Sequence, residues 1–317
     1  EWASRIDPLV AEQLSVNGKL YGMTLNDVSA CWAIVYNKTI FNELDLKVPT
    51  TYDEFKDICQ RILDSGVIPI YECVSDGWHH VLWFPELGGR YEELNPGLAE
   101  KLNNNETTFA ENETMLKALT QLKELVELGY FGDNYMSNTY ADTEKNMASG
   151  KYAMTVYNQG LPEQIENAFP DVKAENFGFF VIPLVDNQVL NVNPAGPSIF
   201  VYSGSKNIDA AKKYLAYIAK PENLQYLIDN TPKFNTLPFS GLKDKYSEEA
   251  KKFYSSYEKR GTVYQTQIKY LNPQWMEMGK DLAAIFTDAM EPLDMLKSID
   301  KRRTDAAKAA KDPAWSE

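Results

Sequence analysis

The densest concentration of chemistry-bearing side chains runs Ser75-Asp76-Gly77-Trp78-His79-His80-Val81-Leu82-Trp83-Phe84. Aromatic rings beside a carboxylate suit sugar recognition, because flat rings cover the C–H face of a sugar while carboxylates and amides take its hydroxyls. Imidazole beside carboxylate also suits proton transfer. His79 and His80 are the only histidines in the chain, so a dispersed Ser-His-Asp or Cys-His arrangement would have to use one of them. No Gly-x-Ser-x-Gly, Gly-x-Gly-x-x-Gly or phosphate-loop pattern occurs. Adjacent histidines without a companion at helical spacing are a weak metal signal, since a closed zinc site wants four donors. We therefore expect no catalytic residue, no metal and no cofactor. A two-carboxylate glycosidase stays open as the alternative, because 45 acidic residues offer many pairs.

Within this cluster Trp83 and Phe84 read as packing residues, as large aromatics usually are. Asp76, Trp78 and His79 remain candidates for ligand contact. A second candidate loop is Tyr157-Asn158-Gln159-Gly160, where the amides of Asn158 and Gln159 donate and accept at once; a plain polar turn explains it equally. A third is Asn272-Pro273-Gln274-Trp275-Met276, in which Trp275 is either a ligand-facing ring or a helix-start staple. Asn26, Asp27 and Gly196 complete the set, with turn punctuation as the other reading of Asn26 and of Pro194 with Gly196.

These loops need elements to hold them. Trp32 to Tyr36, Val67 to Tyr71 (broken by Pro69), Tyr152 to Tyr157, Phe177 to Ile182 and Ser198 to Tyr202 read as strands rich in β-branched and aromatic residues. Between them lie amphipathic helices: one carries Leu116, Leu119, Leu122 and Val126 and stops at Gly129, and another carries Ala211, Tyr214, Leu215 and Ile218 and halts before Pro221. Thr51 and Glu54 form a capping box opening the helix after Pro49. A last helical block through Leu282, Ile285, Phe286 and Ala289 is expected to end near Pro292, followed by polar chain. Alternation of this kind gives an α/β protein. The 317 residues suffice for two domains, and the composition, 44% apolar and 24% charged, is ordinary for a globular chain. A net charge of −13 repels phosphate backbones and argues against nucleic-acid binding. No apolar run reaches membrane-spanning length. Cys31, Cys59 and Cys73 show no Cys-x-x-Cys spacing, and Cys59 falls at helical spacing with Phe55 and Ile62 as a small core residue. The opening Glu1-Trp2-Ala3-Ser4-Arg5 does not read as a signal peptide and fits a mature or trimmed start as well as a cytosolic one.

The order of signals from residue 18 onward is distinctive. Gly18-Lys19-Leu20-Tyr21-Gly22 leads to Trp32-Ala33-Ile34-Val35-Tyr36-Asn37-Lys38, then Phe41, Leu46 and Pro49-Thr50-Thr51-Tyr52-Asp53-Glu54-Phe55. Ala148-Ser149-Gly150-Lys151-Tyr152-Ala153-Met154 follows, then Ser205 to Leu215 with Pro221-Glu222-Asn223 and Pro232. This series resembles the bacterial extracellular solute-binding proteins of family 1, the maltose-binding-protein-like receptors of ABC importers, from residue 18 to about 240. Thr24 stands where that pattern usually has proline, and Tyr52 where it often has tryptophan. The 157–160 loop lacks the tryptophan the family often carries.

The resemblance implies a two-lobed periplasmic-binding-protein-like α/β fold of class II type, with the ligand cleft between lobes. Residues 1–35 and 193–240 would form the first lobe, and residues 36–192 and 241–317 the second. Seventeen residues precede Gly18 where the family has several elements, so the first lobe is expected to be incomplete. The implied activity is capture of a neutral mono- or oligosaccharide by hinge closure and delivery to ABC importer permease subunits. It would take place at the cell surface or in the periplasm, with the membrane reached through a lipid anchor upstream. By this resemblance Asp76 and Trp78 match sugar-contacting positions, Trp275 matches a late tryptophan, and Asn26, Asp27 and Gly196 lie where the chain crosses between lobes. A scaffold with a degenerate site is the remaining alternative.

Overall fold

Asn17 and Gly18 turn a small hairpin near the start of the chain. The flanking strands β1 (Ser15–Val16) and β2 (Lys19–Leu20) pair antiparallel, and both turn residues take positive φ, 51° and 72°. Asn-Gly adopts that geometry at least cost. Strand β3 (Gly22–Thr24) follows. The computed structural model of the protein describes residues 2–27, 31–194, 198–232 and 234–316.

The next strand, β4 (Ala33–Asn37), is the centre of a mixed sheet with β5 (Ile68–Tyr71), β6 (Tyr152–Tyr157) and β7 (Phe177–Phe180), ordered β5-β6-β4-β7. Strand β4 is antiparallel to both neighbours, with Ile34 opposite Val156 and Phe180, whereas β5 and β6 run parallel. Alternate residues of a strand face opposite sides. Ile34, Ile70, Val156 and Phe180 accordingly join one core, and Ala33, Val35, Tyr71, Tyr157 and Phe179 join the other. Burial on both faces explains why these strands read as unbroken apolar runs.

Helices cover the sheet. Thr51 caps the helix Tyr52–Asp64 through the expected box with Glu54. The helix Glu113–Glu127 buries Met115, Leu119 and Leu122 and is followed by Gly129 at φ 77°. Pro292 does not end the helical part of the chain. It opens the helix Pro292–Ala310, which buries Met295, Leu296, Ile299, Arg303 and Ala307. Its charged face masked this stripe in the sequence, and proline at the first position needs no N–H partner.

A shorter strand β8 (Leu190–Val192) leads to β9 (Ser198–Phe200), which returns to pair antiparallel with β3, Met23 opposite Ile199. Later, β10 (Arg260–Thr262) lies parallel to β8. The β3–β9 pair belongs to a separate, smaller cluster: Ile6, Val10, Leu14, Met23, Leu224, Ile228 and Phe239 pack together. Every residue of β4 is paired with the large sheet, so Ala33 to Val35 sit with the larger body. The division expected after residue 35 would fall inside this strand.

Candidate functional site

Parallel strands β5 and β6 end side by side, and both candidate loops leave from there, where α/β sheets gather ligands. After β5 the chain runs through Glu72 to the loop bearing Asp76 and Trp78. After β6 it runs into Asn158 and Gln159. Gly77 takes φ 75°, a left-handed conformation that glycine accepts without penalty. A Cβ on Gly279 would lie 1.9 Å from the Gly77 carbonyl oxygen, so glycine there lets the helix Trp275–Phe286 press against this loop. The Trp275 indole N–H donates to the Trp78 carbonyl at 3.0 Å.

Four half-buried or buried aromatic residues converge at these strand ends. Trp78 meets Trp32 edge-on at 6.0 Å and Tyr140 at 4.9 Å. Tyr140 stacks on Tyr157 at 5.1 Å with planes 2° apart, and Trp32 closes the group onto Tyr157 at 5.7 Å. Trp32, Trp78 and Tyr140 each keep part of their surface exposed. Asp76 Oδ2 accepts the Tyr140 backbone N–H at 2.5 Å, which ties the two loops together. Asn158, next after Tyr157, is half-buried, and its Oδ1 accepts the Gly160 N–H at 3.0 Å. Desolvation pushes the Tyr140 phenol well above its usual range, so it is a neutral hydroxyl, able to donate and accept. The arrangement offers flat apolar faces bordered by one carboxylate, one amide and phenolic hydroxyls.

Beneath this surface lies a charged pair. His79, expected among the ligand contacts, is fully buried. Its Nδ1 lies 2.5 Å from Glu72 Oε1 and its Nε2 lies 2.9 Å from the Val156 carbonyl oxygen. A carbonyl only accepts, so Nε2 carries a hydrogen. Glu72 also accepts from the Trp83 indole at 2.6 Å and the Cys73 N–H at 2.8 Å. Three N–H groups converging on one carboxyl hold it ionised and leave His79 as the imidazolium. Burial opposes both charges, yet the His79 charge and hydrogen bond bring Glu72 below the usual carboxylate range. Glu72 in turn raises His79 above the ordinary histidine value, against the desolvation that lowers it. The imidazole therefore has no edge left for a ligand. His80 is the contrasting case: it donates from Nε2 to the Gly279 carbonyl at 2.8 Å, and burial lowers its pKa toward the neutral ring.

The donor atoms of Glu72, Cys73 and His79 lie within 4.8 Å of one another. Here Glu72 spends its oxygens on N–H groups and burial pushes the Cys73 thiol up, an ion pair with a neutral thiol beside it that supplies three donors where a closed zinc site takes four.

The other candidates take different positions. Gln159 is fully buried, accepting from Cys31 N–H at 3.0 Å and Tyr254 O–H at 2.8 Å and donating to the Cys31 carbonyl at 2.9 Å. Those bonds strap the end of β6 to the approach to β4, and burial keeps the amide away from the surface. Asp27 is buried, and its Oδ2 accepts the Asn235 N–H at 3.3 Å. Asn26 beside it is half-buried. Gly196 lies outside the described residues. Tyr140, Trp32 and Glu72 join the site without having been singled out in the sequence, whereas Tyr157 opens the second candidate loop. Trp32 was legible only as a strand residue, and Tyr140 carries no periodic signal.

Comparison with known proteins decides the family. Residues 2–254 match the family model described as bacterial extracellular solute-binding protein. This chain belongs to that family. The solute-binding protein is 26% identical over 230 residues to the multiple sugar-binding protein of Streptococcus mutans, an alignment covering 70% of this chain and 53% of the relative. The chain thus spans about half the length of that curated relative. Among solved structures it superposes on a chitin oligosaccharide binding protein with a TM-score of 0.77 at 17% identity, covering 97% of this chain and 80% of the other. A sugar transporter of Bacillus licheniformis solved with stachyose gives 0.76 at 18% identity, covering 96% and 78%. The solute-binding protein shares the α/β architecture of these structures, and its family is one of binding proteins rather than enzymes.

Proposed function

We propose that this solute-binding protein captures a neutral mono- or oligosaccharide against the aromatic group at the ends of β5 and β6 and presents it to an ABC importer permease. The observation carrying the proposal is the convergence of Trp32, Trp78, Tyr140 and Tyr157, with Asp76 bound to the Tyr140 N–H. Rings supply apolar faces for sugar C–H groups, and the bordering polar groups meet hydroxyls. The Streptococcus mutans relative is by name a sugar-binding protein, which favours the same ligand class. In this reading residues 2–27 and 198–242 form one lobe, residues 31–192 and 246–316 the other, and ligand favours the closed state by touching both. Capture takes place outside the cytoplasmic membrane, with attachment through a lipid anchor. In this reading the ligand leaves chemically unchanged, in keeping with a family of binding proteins.

The test is thermal unfolding against a panel of neutral sugars, for the wild type and Trp78→Ala. Ligand at about 100 times its dissociation constant stabilises by about 2.7 kcal/mol. One sugar class should raise the wild-type midpoint, the variant should lose the response, and the sugar should be recovered intact. Silence across the panel, or an undiminished response in Trp78→Ala, refutes the assignment.

A further inference from the structure

The aromatic group is surface, and something must hold it in shape when no ligand is present. Trp78 and Asp76 sit on an irregular loop, with Trp275 Nε1 as the bond to the helix beyond. Asp76 is fastened to Tyr140, which belongs to another loop. Backbone bonds join the two loops to each other, Val74 N–H to the Tyr135 carbonyl at 3.0 Å and Ser75 N–H to the Asn138 carbonyl at 3.3 Å, and the Tyr71 hydroxyl of β5 donates to the Thr139 carbonyl at 2.7 Å. From the loop bearing Asp76 and Trp78, the side chain that reaches β6 is His79, the residue directly after Trp78. Its two ring nitrogens span from Glu72, at the end of β5, to the Val156 carbonyl in β6. The same ring lies under the group it supports, 5.3 Å from Trp78, 6.1 Å from Trp32 and 5.7 Å from Tyr140. Glu72 is fastened in turn: Trp83 and the Cys73 N–H occupy its remaining capacity, and its own carbonyl accepts from Asn138 Nδ2 at 3.0 Å.

We propose that Glu72 and His79 are the positioning residues of the ligand-binding surface, a buried ion pair that holds Trp78 and Asp76 at a set height over the ends of β5 and β6. The pair touches no ligand. It acts by preorganisation: a binding group held by a rigid second layer loses less freedom on binding than one on a free loop. A buried ion pair is weak as a source of net stability, because desolvation offsets its attraction, and its directional bonds define one geometry. This role rests on the sugar-receptor reading for its consequence in affinity, and on the geometry alone for its consequence in loop order.

The experiment compares Glu72→Gln, His79→Gln and, as a control of similar burial in the helix Glu113–Glu127, Leu119→Ala. Sugar affinity is measured by calorimetry, and backbone order by hydrogen exchange at the Tyr140 amide, whose partner is Asp76. Both pair variants should weaken affinity by about tenfold and speed Tyr140 exchange by a similar factor. Leu119→Ala should lower the unfolding midpoint while leaving affinity within about twofold, since distant sites act independently. Unchanged affinity in both pair variants, or an equal loss in Leu119→Ala, overturns the proposal. Should no sugar bind even the wild type, the receptor reading fails and exchange alone decides. Faster exchange at Tyr140 with unchanged amides in the helix Glu113–Glu127 then upholds the positioning role, and equal rates overturn it. If Glu72→Gln does not fold, His79→Gln carries the test, because Glu72 keeps its bonds to Trp83 and Cys73.

Discussion

Glu86 offers a direct test of how this fold handles a buried charge. It is 2% exposed, and neither carboxyl oxygen has a hydrogen-bond partner. Burial alone pushes its pKa from 4.5 up to about 8. The unfolded chain therefore releases this proton near pH 4.5 while the folded chain keeps it until about pH 8. A folded state that binds more protons than the unfolded one loses stability as pH rises. The penalty is absent below pH 4.5, grows through the window from 4.5 to 8, and is complete above it. A tenfold change in proton affinity is worth about 1.4 kcal/mol, so the full effect reaches roughly 5 kcal/mol at its upper bound. That is comparable with the whole stability of a modest domain. Glu86→Gln keeps the shape and the polarity of the protonated acid and cannot ionise. Urea unfolding at pH 5, 6.5 and 8.5 should show the two proteins nearly equal at the lowest pH, with the variant ahead by several kcal/mol at the highest. Cys31 shares these surroundings, but burial and the Glu86 charge push its thiol further up, so it does not titrate in this range. Parallel stability curves for wild type and variant would show that the Glu86 carboxyl is solvated or paired, and the reasoning would fall.

Two further outcomes follow from other buried polar groups. Arg303 is 3% exposed, donates to the Leu102 and Lys269 carbonyls at 2.8 and 3.1 Å, and lies over the rings of Phe109 and Trp315. Arg303→Met keeps the apolar stem, takes the guanidinium donor from the Lys269 carbonyl and leaves the Leu102 carbonyl to its backbone donor Asn105, which should cost about 2 kcal/mol in urea unfolding; a loss below about 0.5 kcal/mol would mean the carbonyls find other donors. Cys31, Cys59 and Cys73 are all buried with free thiols, and burial pushes each above the ordinary thiol range. A thiol reagent at pH 8 should label none of them in the native protein and all three in urea, because thiolate and access are both required.

The sheet was legible because its strands are buried on both faces. Ile34, Val35 and Val156 advertise themselves as apolar whichever side they face. The capping box at Thr51 was legible because capping is a local matter of residue types three apart. The helix Pro292–Ala310 was not, since Lys301, Arg302 and Lys308 interrupt the run while Ile299, Arg303 and Ala307 carry the buried stripe. There a buried arginine occupies a position that a pattern of apolar residues would fill.

The candidate site divides along the same line. Asp76 and Trp78 were singled out as candidates by a dense aromatic stretch and still more by the family resemblance, and Asn158 because it follows a clear strand. What joins them is tertiary: Tyr140 arrives from a segment without periodicity, and Trp32 from the start of a strand. His79 was misread for a physical reason. Next to Trp78 and Asp76, an imidazole reads as one more ligand contact, and only the partner decides otherwise. That partner, Glu72, follows an apolar strand and in sequence looks like the polar residue that ends it. A carboxylate seven positions from a histidine becomes an ion pair only when the loop folds back over the strand end. The residues that touch a ligand can be guessed from their types; those that hold them in place are defined by which two elements they bridge.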